Sequence, residues 1–232
     1  VDRRGASSDH AIMKAYVNGK IVALAEAVVS AHDAGLQHGV GLFETMQAFN
    51  GRVFRLVPHI ERLIASAKQT GLSDQLRLEP LCDAVEYTLD ANGVSEARIR
   101  LTVTGGDLSL LGAARGERAD PHTPSVLCVV TAPTQYPPGF FADGVKVTIA
   151  DDKANPFDAL AGHKTLNYWA RLPALATAAR QGAGEALWFT VTNHLAGGSV
   201  SNALLVKGGQ LHTPIARGEE EDGSLPSPVL PG

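Results

Sequence analysis

The segment DAGLQHGVGLFETMQAFNGRVFRLVPHIERL, residues 33–63, sets the fold class of the N-terminal part of the chain. Asn50 and Gly51 lie between two runs rich in apolar residues, and Asn-Gly pairs tolerate the positive φ angles of a tight two-residue hairpin. Pro58 then suits a first helical position. The residues that would share one apolar face of this helix are Ile60, Leu63, Ile64 and Ala67. The segment therefore predicts a strand, a tight turn and an amphipathic helix.

The rest of the chain mixes strand and helix patterns. Two further hairpin turns are expected at Asn18-Gly19 and Gly208-Gly209. Alternating or buried apolar runs predict strands over residues 97–104, 125–133, 145–151 and 185–192. Helical spacing predicts helices over residues 79–93 and from Lys164 to about Gln181, the second kinked at Pro173. Because strands and helices are partly segregated along the chain, the predicted fold class is α+β.

A proline-rich stretch divides the chain. Thr131–Gly139 concentrates proline without periodicity, which is typical of a linker. We therefore predict a small α+β domain over residues 1–132, a linker over 133–139, and the first part of a larger domain over 140–232. Residues 105–124 are rich in Gly, Ala and Arg and predict a long loop that could act as a lid.

Composition bounds the function. The chain has 232 residues, 44% of them hydrophobic, so it can bury a core, and its net charge of −4 gives no support for a nucleic-acid or membrane partner. Cys82 and Cys128 lie in apolar runs and are interpreted as buried thiols, with no metal site and no disulfide framework. No signal-peptide core or membrane-length apolar run is present in the sequence, which predicts a cytoplasmic protein.

The segment GHKTLNYWARL, residues 162–172, places Lys164 beside a histidine and an aromatic and amide-rich run. One interpretation is a surface lysine with a buried aliphatic stem and a hydrated ammonium. The other is an imine-forming lysine, because desolvation lowers a lysine pKa and leaves an amine able to attack a carbonyl. The residues of this segment alone leave both interpretations open.

Several segments, taken in their order and spacing, resemble the class IV aminotransferases. These are the fold-type IV pyridoxal-phosphate enzymes, which include branched-chain and D-amino-acid aminotransferases and aminodeoxychorismate lyase. The matching segments are YVNGKIV, the opening segment from DAGLQ to HIERL, HKTLNYW, GSVSNALLV with LHTP, and LPG. The resemblance covers most of the chain. It implies a small α/β N-terminal domain, a larger domain around a β-barrel, and a homodimer or other homo-oligomer.

The resemblance also implies roles for individual residues. Lys164 matches the Schiff-base lysine, and Arg62 matches the arginine that holds the cofactor phosphate. Tyr168 matches a tyrosine that meets the phenolic oxygen of the cofactor. Ser201 and Asn202 match the turn beside the pyridine ring.

Two features depart from the family pattern. The family has a glutamate five residues before the asparagine of the turn, where it keeps the pyridine nitrogen protonated, and this chain has Gly197 there. The second departure is at the C-terminal end. The family continues after Leu-Pro-Gly with a further segment, whereas this sequence stops at Gly232. We therefore expect an altered cofactor site and an incomplete large domain. We also expect a second polypeptide that continues after Gly232. Gly232 itself would then be a possible cleavage site.

Two functions follow. The first is a pyridoxal-phosphate-dependent aminotransferase or lyase-like enzyme that acts on a small amino acid or keto acid through Lys164. The alternative keeps the fold but loses the cofactor, as in a self-cleaved two-chain protein that is an N-terminal-threonine hydrolase or a binding protein. Gly197 and the stop at Gly232 favour the alternative, whereas Lys164, Arg62 and Asn202 favour the enzyme.

Overall fold

The computed structural model describes residues 13–107 and 123–231. Residues 108–122, which make up most of the predicted lid, and Gly232, the predicted cleavage site, lie outside the described residues.

The chain divides into two compact units. The first contains the residues up to Thr134 together with Lys164–Leu166. The second contains Gln135–His163 together with the residues from Asn167 onward. The domain limits drawn from the sequence at residues 132 and 140 stay a prediction.

Within the described residues, the first unit is built on a six-stranded antiparallel sheet with the strand order β2-β1-β6-β5-β3-β4. Its strands are β1 (Lys14–Val17), β2 (Lys20–Ala23), β3 (Gly41–Phe49), β4 (Arg52–Val53), β5 (Ala97–Thr104) and β6 (Ser125–Thr131). Its helices are α1 (Ala34–His38), α2 (Leu56–Gln69) and α3 (Leu78–Asn92), with a 3₁₀ turn at Leu24–Glu26.

The core of the first unit lies between this sheet and helices α2 and α3. Apolar residues at every second position of β5 are buried, as the alternation in the sequence predicts. The residues that pack in this core include Met46, Ile60, Leu63, Val85, Leu89, Ile99 and Leu101. Each large aliphatic side chain buried in this way contributes about 1.5–3 kcal/mol of transfer free energy. The helix pattern that begins at Ile60 is therefore confirmed, although α2 begins at Leu56 and Pro58 is its third residue.

The tight turns have the backbone geometry that their residues predict. Asn50 has a φ of 51° and Gly51 a φ of 72°, and they connect β3 to β4. The Asn18-Gly19 turn connects β1 to β2 in the same way. Residues in the left-handed region at both turn positions match the right-handed twist of the flanking strands.

The second unit contains a small three-stranded sheet with the order β7-β8-β9 and a separate hairpin of β10 and β11. Its strands are β7 (Val147–Ala154), β8 (Glu185–Thr190), β9 (Leu195–Gly198), β10 (Leu205–Lys207) and β11 (Gln210–His212). Its helices are α4 (Pro138–Ala142) and α5 (Arg171–Arg180). β7 and β8 are parallel, and α5 lies in the connection between them. The core here is small and consists mainly of alanines around Trp188.

Two sequence predictions about the second half of the chain are wrong in detail. The helix predicted from Lys164 begins only at Arg171, and Lys164–Leu166 is extended. Pro173 is the third residue of α5 and causes no kink, because the first turn of a helix does not use the N–H that proline lacks. α4 also begins at Pro138, inside the stretch interpreted as a linker.

None of the described helices is both long enough and apolar enough to cross a membrane.

Candidate active site

Lys164 is held by strand pairing. On one edge, β3 pairs with β5 along residues 41–48. On its other edge, β3 pairs with β4 only at Ala48 and Phe49. The open part of that edge receives Lys164–Leu166: the N–H of Phe43 donates to the Lys164 carbonyl at 2.9 Å, and the N–H of Leu166 donates to the Gly41 carbonyl at 2.9 Å. These two bonds fix the backbone on which the lysine side chain is carried.

Gly41 is needed for this approach. A Cβ at that position would lie 2.6 Å from Cδ1 of Leu166 and 2.8 Å from the carbonyl oxygen of Val103. The second of these contacts is with backbone, which cannot give way without moving β5. Glycine therefore allows the lysine segment and β5 to lie on both sides of the start of β3.

The ammonium of Lys164 lies 5.3 Å from the ring centroid of Phe43. The guanidinium of Arg100, on the neighbouring strand β5, lies 3.7 Å from the same centroid. Cations over an aromatic face are attracted by the ring quadrupole. One aromatic ring therefore gathers two cationic side chains in the first unit.

A buried carboxylate lies beside them. Glu44 on β3 is 1% exposed. Arg62 on α2 binds its carboxylate through two hydrogen bonds: Nε donates to Oε1 and Nη2 donates to Oε2, each at 2.7 Å. Nδ1 of His59 lies 2.9 Å from Oε2 of Glu44. A bidentate arginine pair of this kind fixes both orientation and charge.

The charges around Glu44 control its protonation. Burial alone would raise the pKa of its carboxyl, but the hydrogen bonds from His59 and Arg62 and the charges of Arg62 and Lys164 outweigh burial and hold the pKa below its usual value of 4.5. The carboxylate is thus ionised at neutral pH. The single negative charge of Glu44 faces the positive charge of Arg62 and, while its amine is protonated, that of Lys164. Arg100 adds another positive charge over the Phe43 ring, so positive charge is in excess here and suits an anion.

The second unit carries the turn implied by Ser201 and Asn202. Gly197 lies at the end of β9, opposite Trp188 of β8, with a φ of 141° that side chains rarely adopt. The N–H of Gly198 donates to the carbonyl of Ser201 at 2.8 Å, which closes the turn.

Side chains from elsewhere in the second unit hold this turn. Arg171, the first residue of α5, donates to the carbonyl of Gly198 at 2.9 Å. Nε1 of Trp188 donates to the hydroxyl of Ser199 at 3.0 Å. The carboxylate of Glu185 accepts hydrogen bonds from the backbone of the turn. The turn is therefore constrained at each of its residues from Gly198 to Ser201.

The predicted site residues thus fall into two groups. Lys164 and Arg62 both belong to the first unit, where the charges of both act on Glu44. Tyr168, Gly197, Ser201 and Asn202 belong to the second unit, where the carbonyl of Tyr168 accepts from the N–H of Leu172 at 3.0 Å, just before α5.

The residues immediately before Lys164 are held by Arg217. Its guanidinium donates to the carbonyl of Ala161, and its side chain packs where a Cβ on Gly162 would lie. Burial lowers the pKa of His163, and the positive charge of Arg217 lowers it further. His163 is therefore neutral at physiological pH, next in sequence to the lysine.

Sequence reasoning missed Glu44, Glu185 and Arg171. Glu44 left a usable signal, because it follows Leu42 and precedes Met46 at the spacing that faces the apolar core. A carboxylate at such a position needs a cation, and Arg62 and His59 share a helical face three residues apart. Among the described residues, no group of three His, Cys, Asp or Glu side chains could hold a metal ion.

Comparisons with known proteins show the family to which the chain is similar. The model of the family described as "Amino-transferase class IV" matches residues 41–227. A putative branched-chain-amino-acid aminotransferase of Methanocaldococcus jannaschii is 36% identical over 205 residues, which are 87% of this chain and 68% of the relative. A D-alanine aminotransferase of Staphylococcus aureus is 30% identical over 207 residues, which are 86% of this chain and 68% of the relative.

The fold agrees as well. The crystal structure of a branched-chain aminotransferase from Thermoproteus uzoniensis with norvaline superimposes with a TM-score of 0.76 at 27% identity, covering 87% of this chain and 68% of the other. These matches confirm the resemblance and the fold class that the sequence predicts.

Proposed function

Because the chain belongs to the class IV aminotransferase family, we propose that it is a pyridoxal-phosphate-dependent aminotransferase that acts on a small aliphatic amino acid, with Lys164 as the cofactor-bearing lysine. Pyridoxal-phosphate dependence and aminotransferase activity are the properties of this family. The observation that carries the residue assignment is the placement of Lys164 on the edge of β3, close enough to Glu44 and Arg62 for their charges to act together.

The residues of the first unit fit the cofactor chemically. A phosphate monoester carries up to two negative charges, and the excess positive charge around Glu44 suits it. Arg62 would hold the phosphate, while its bidentate pair with Glu44 keeps the guanidinium oriented. When bound, pyridoxal phosphate supplies an electron sink for the charge that develops at the α-carbon of an amino acid.

The proposed role of Lys164 in the reaction is proton transfer at Nζ. An amine can take the α-proton as a general base and return it as a general acid, provided that its pKa is near the working pH. His163, the residue before Lys164, is neutral and so adds no charge next to the lysine in the chain. The Phe43 ring, whose centroid lies 5.3 Å from Nζ, provides an apolar face beside the amine.

The choice of substrate rests on the relatives. The names of the relatives specify branched-chain amino acids and D-alanine, and the Thermoproteus enzyme was crystallised with norvaline. We propose that this protein likewise takes a small aliphatic amino acid as amino donor and a keto acid as acceptor. Gly197 offers no carboxylate where the family has one, so we propose that transamination is slow.

Homo-oligomerisation is proposed from exposed apolar side chains. In the first unit Val28 is 73% exposed, Leu36 70% and Phe54 63%, and apolar side chains of this kind mark candidate interfaces. Light scattering of the purified protein tests this, and a monomer at micromolar concentration would contradict it.

The activity test pairs two lysine variants. Purified protein is supplied with pyridoxal phosphate, L-valine or D-alanine, and 2-oxoglutarate, and the new keto acid is measured. We expect turnover in the wild type and none above background in Lys164→Ala. The control is Lys153→Ala, because Lys153 lies 5.4 Å from the Phe189 ring in the second unit and resembles Lys164 only in its aromatic contact. A wild type that transfers no amino group, although folded, would favour the cofactor-free alternative.

A further inference from the structure

Glu185 is a buried carboxylate that the proposed reaction does not use. It is the first residue of β8 and is 9% exposed. A buried carboxylate is costly unless hydrogen bonds replace its lost hydration. The neighbours that provide those bonds therefore show what the residue does.

Four donors meet this carboxylate. Oε1 accepts from the N–H of Ala186 at 2.8 Å and from the N–H of Ser199 at 3.0 Å. Oε2 accepts from the hydroxyl of Ser201 at 2.7 Å and, more weakly, from the N–H of Val200 at 3.4 Å. Three of these four contacts come from the turn at 199–201, so a single carboxylate organises the whole turn.

The direction of the Ser201 bond follows from the other contacts. Backbone N–H groups can only donate, so the carboxylate that meets three of them acts as an acceptor, and the hydroxyl of Ser201 gives its proton to Oε2. A hydroxyl has one proton and two lone pairs. With its proton committed to Glu185, Ser201 can only accept a hydrogen bond from anything else that approaches it.

Gly198 makes this contact possible. A Cβ at Gly198 would lie 2.3 Å from Oγ of Ser201 and 2.8 Å from Cδ of Glu185. The hydroxyl and the carboxylate thus occupy the space that any other residue at 198 would fill. The pair is therefore fixed by the absence of a side chain as well as by the hydrogen bond.

We propose that Glu185 is a positioning residue, which fixes the turn Gly198–Ser201 and holds the hydroxyl of Ser201 as a hydrogen-bond acceptor toward the bound cofactor. The part that concerns the cofactor rests on the proposed function. The polarised hydroxyl supplies a negatively biased oxygen in a turn where Gly197 supplies no carboxylate. Glu185 itself acts only through Ser201 and the turn.

The test begins with Glu185→Gln. The amide oxygen of glutamine can still accept from the N–H groups of Ala186 and Ser199. Its NH2 group must then face the Ser201 hydroxyl. That hydroxyl therefore accepts from the NH2 group and points its own proton away from residue 185. In the protein without cofactor, amide exchange at Val200 should accelerate about tenfold, because the NH2 group of glutamine takes the place of its acceptor Oε2. Unchanged exchange at Val200 would overturn the proposal, whatever the cofactor does.

The second measurement is the Kd for pyridoxal phosphate. Glu185→Gln and Ser201→Ala should each weaken binding about tenfold, and the double variant should match Ser201→Ala within about twofold, because both changes remove the same acceptor. Effects that multiply in the double variant would overturn the proposal. A wild type that binds no pyridoxal phosphate would overturn the proposed function and the cofactor-facing part together, while the exchange result would still decide the role of Glu185 in the turn.

The matched control is Glu220→Gln. Glu220 also accepts two backbone N–H bonds in the second unit, from Gly218 and Ser227, but far along the chain from the turn. It should leave both the exchange at Val200 and the Kd unchanged. If Glu185→Gln does not fold, Ser201→Ala carries the test alone, and an unchanged Kd in that variant would overturn the proposal.

Discussion

The carbonyl of Lys164 accepts a hydrogen bond from the N–H of Phe43 at 2.9 Å, across more than a hundred residues of intervening chain. This bond places the lysine on the free edge of β3, one position from the buried Glu44. The strand edge thus sets the position of the lysine through the main chain.

Gly41→Ala should disturb that placement. The added Cβ would collide with the carbonyl of Val103 and with Leu166, and overpacking of this kind costs about 1–3 kcal/mol of unfolding free energy. Amide exchange at Phe43 and Leu166 should accelerate as their pairing loosens. Gly139→Ala is the control, because the nearest contact of its new Cβ would be 3.5 Å from Asp143. Equal exchange in the two variants would contradict the assigned pairing.

Glu44→Gln should expose the charge coupling in the first unit. Removing one partner of a buried pair costs about 3 kcal/mol, and Glu44 is the fully buried partner. The pKa of Glu44 is lowered in the folded protein, so its stabilising effect is present above the unfolded value of 4.5 and is lost as the pH falls through the folded pKa. Urea unfolding should therefore show a larger difference between wild type and variant at pH 7 than at pH 3.

The control for that experiment is Glu86→Gln on the exposed side of α3, which should change the unfolding free energy by less than about 0.5 kcal/mol. A difference between wild type and Glu44→Gln that stays constant from pH 7 to pH 3 would show that folding does not lower the pKa of Glu44.

Arg217→Gln should raise the pKa of His163. Burial and the charge of Arg217 both lower it, with burial the larger cause, so the variant should recover only part of the distance to the usual value of 6.5. Because the folded pKa is depressed, His163 favours folding above pH 6.5 and this contribution is lost as the pH falls through the folded value. NMR titration of His163 measures its pKa, with Arg180→Gln as the control. Equal pKa values for His163 in the two variants would mean that the charge of Arg217 does not act on it.

Gly197 can be tested with two substitutions that separate strain from charge. Because its φ is 141°, Gly197→Ala should cost about 1–3 kcal/mol of unfolding free energy. Gly197→Glu pays the same strain and adds a carboxylate, and one oriented charge of this kind is worth up to about a hundredfold in rate. Transamination should therefore be faster in the glutamate variant than in the alanine variant. Equal rates would mean that the missing carboxylate does not limit the reaction.

The local parts of the fold could be predicted from the sequence because their signals are local. Asn50-Gly51 specifies its turn through backbone preference, and the alternation in β5 specifies which face is buried. Arg62 and Lys164 were found through a family motif.

The remaining features depend on pairings distant in sequence. Lys164–Leu166 was expected to be helical, because its aromatic neighbours have helix-like spacing, but the free edge of β3 offers hydrogen bonds that no local pattern records. Trp169, in the aromatic run that follows Lys164, is 85% exposed. Glu185 was also missed, because its partners lie 14 to 16 residues away on a turn.

Covalent trapping on Lys164 decides whether this lysine carries the cofactor. The protein is incubated with pyridoxal phosphate, reduced with borohydride and digested, and the modified peptide is located by mass spectrometry. We expect the pyridoxyl group on the peptide that contains Lys164, unchanged labelling of that peptide in Lys153→Ala, and none in Lys164→Ala. Labelling that persists at the wild-type level in Lys164→Ala, or that occurs mainly at another lysine of the wild type, would contradict the assignment of Lys164.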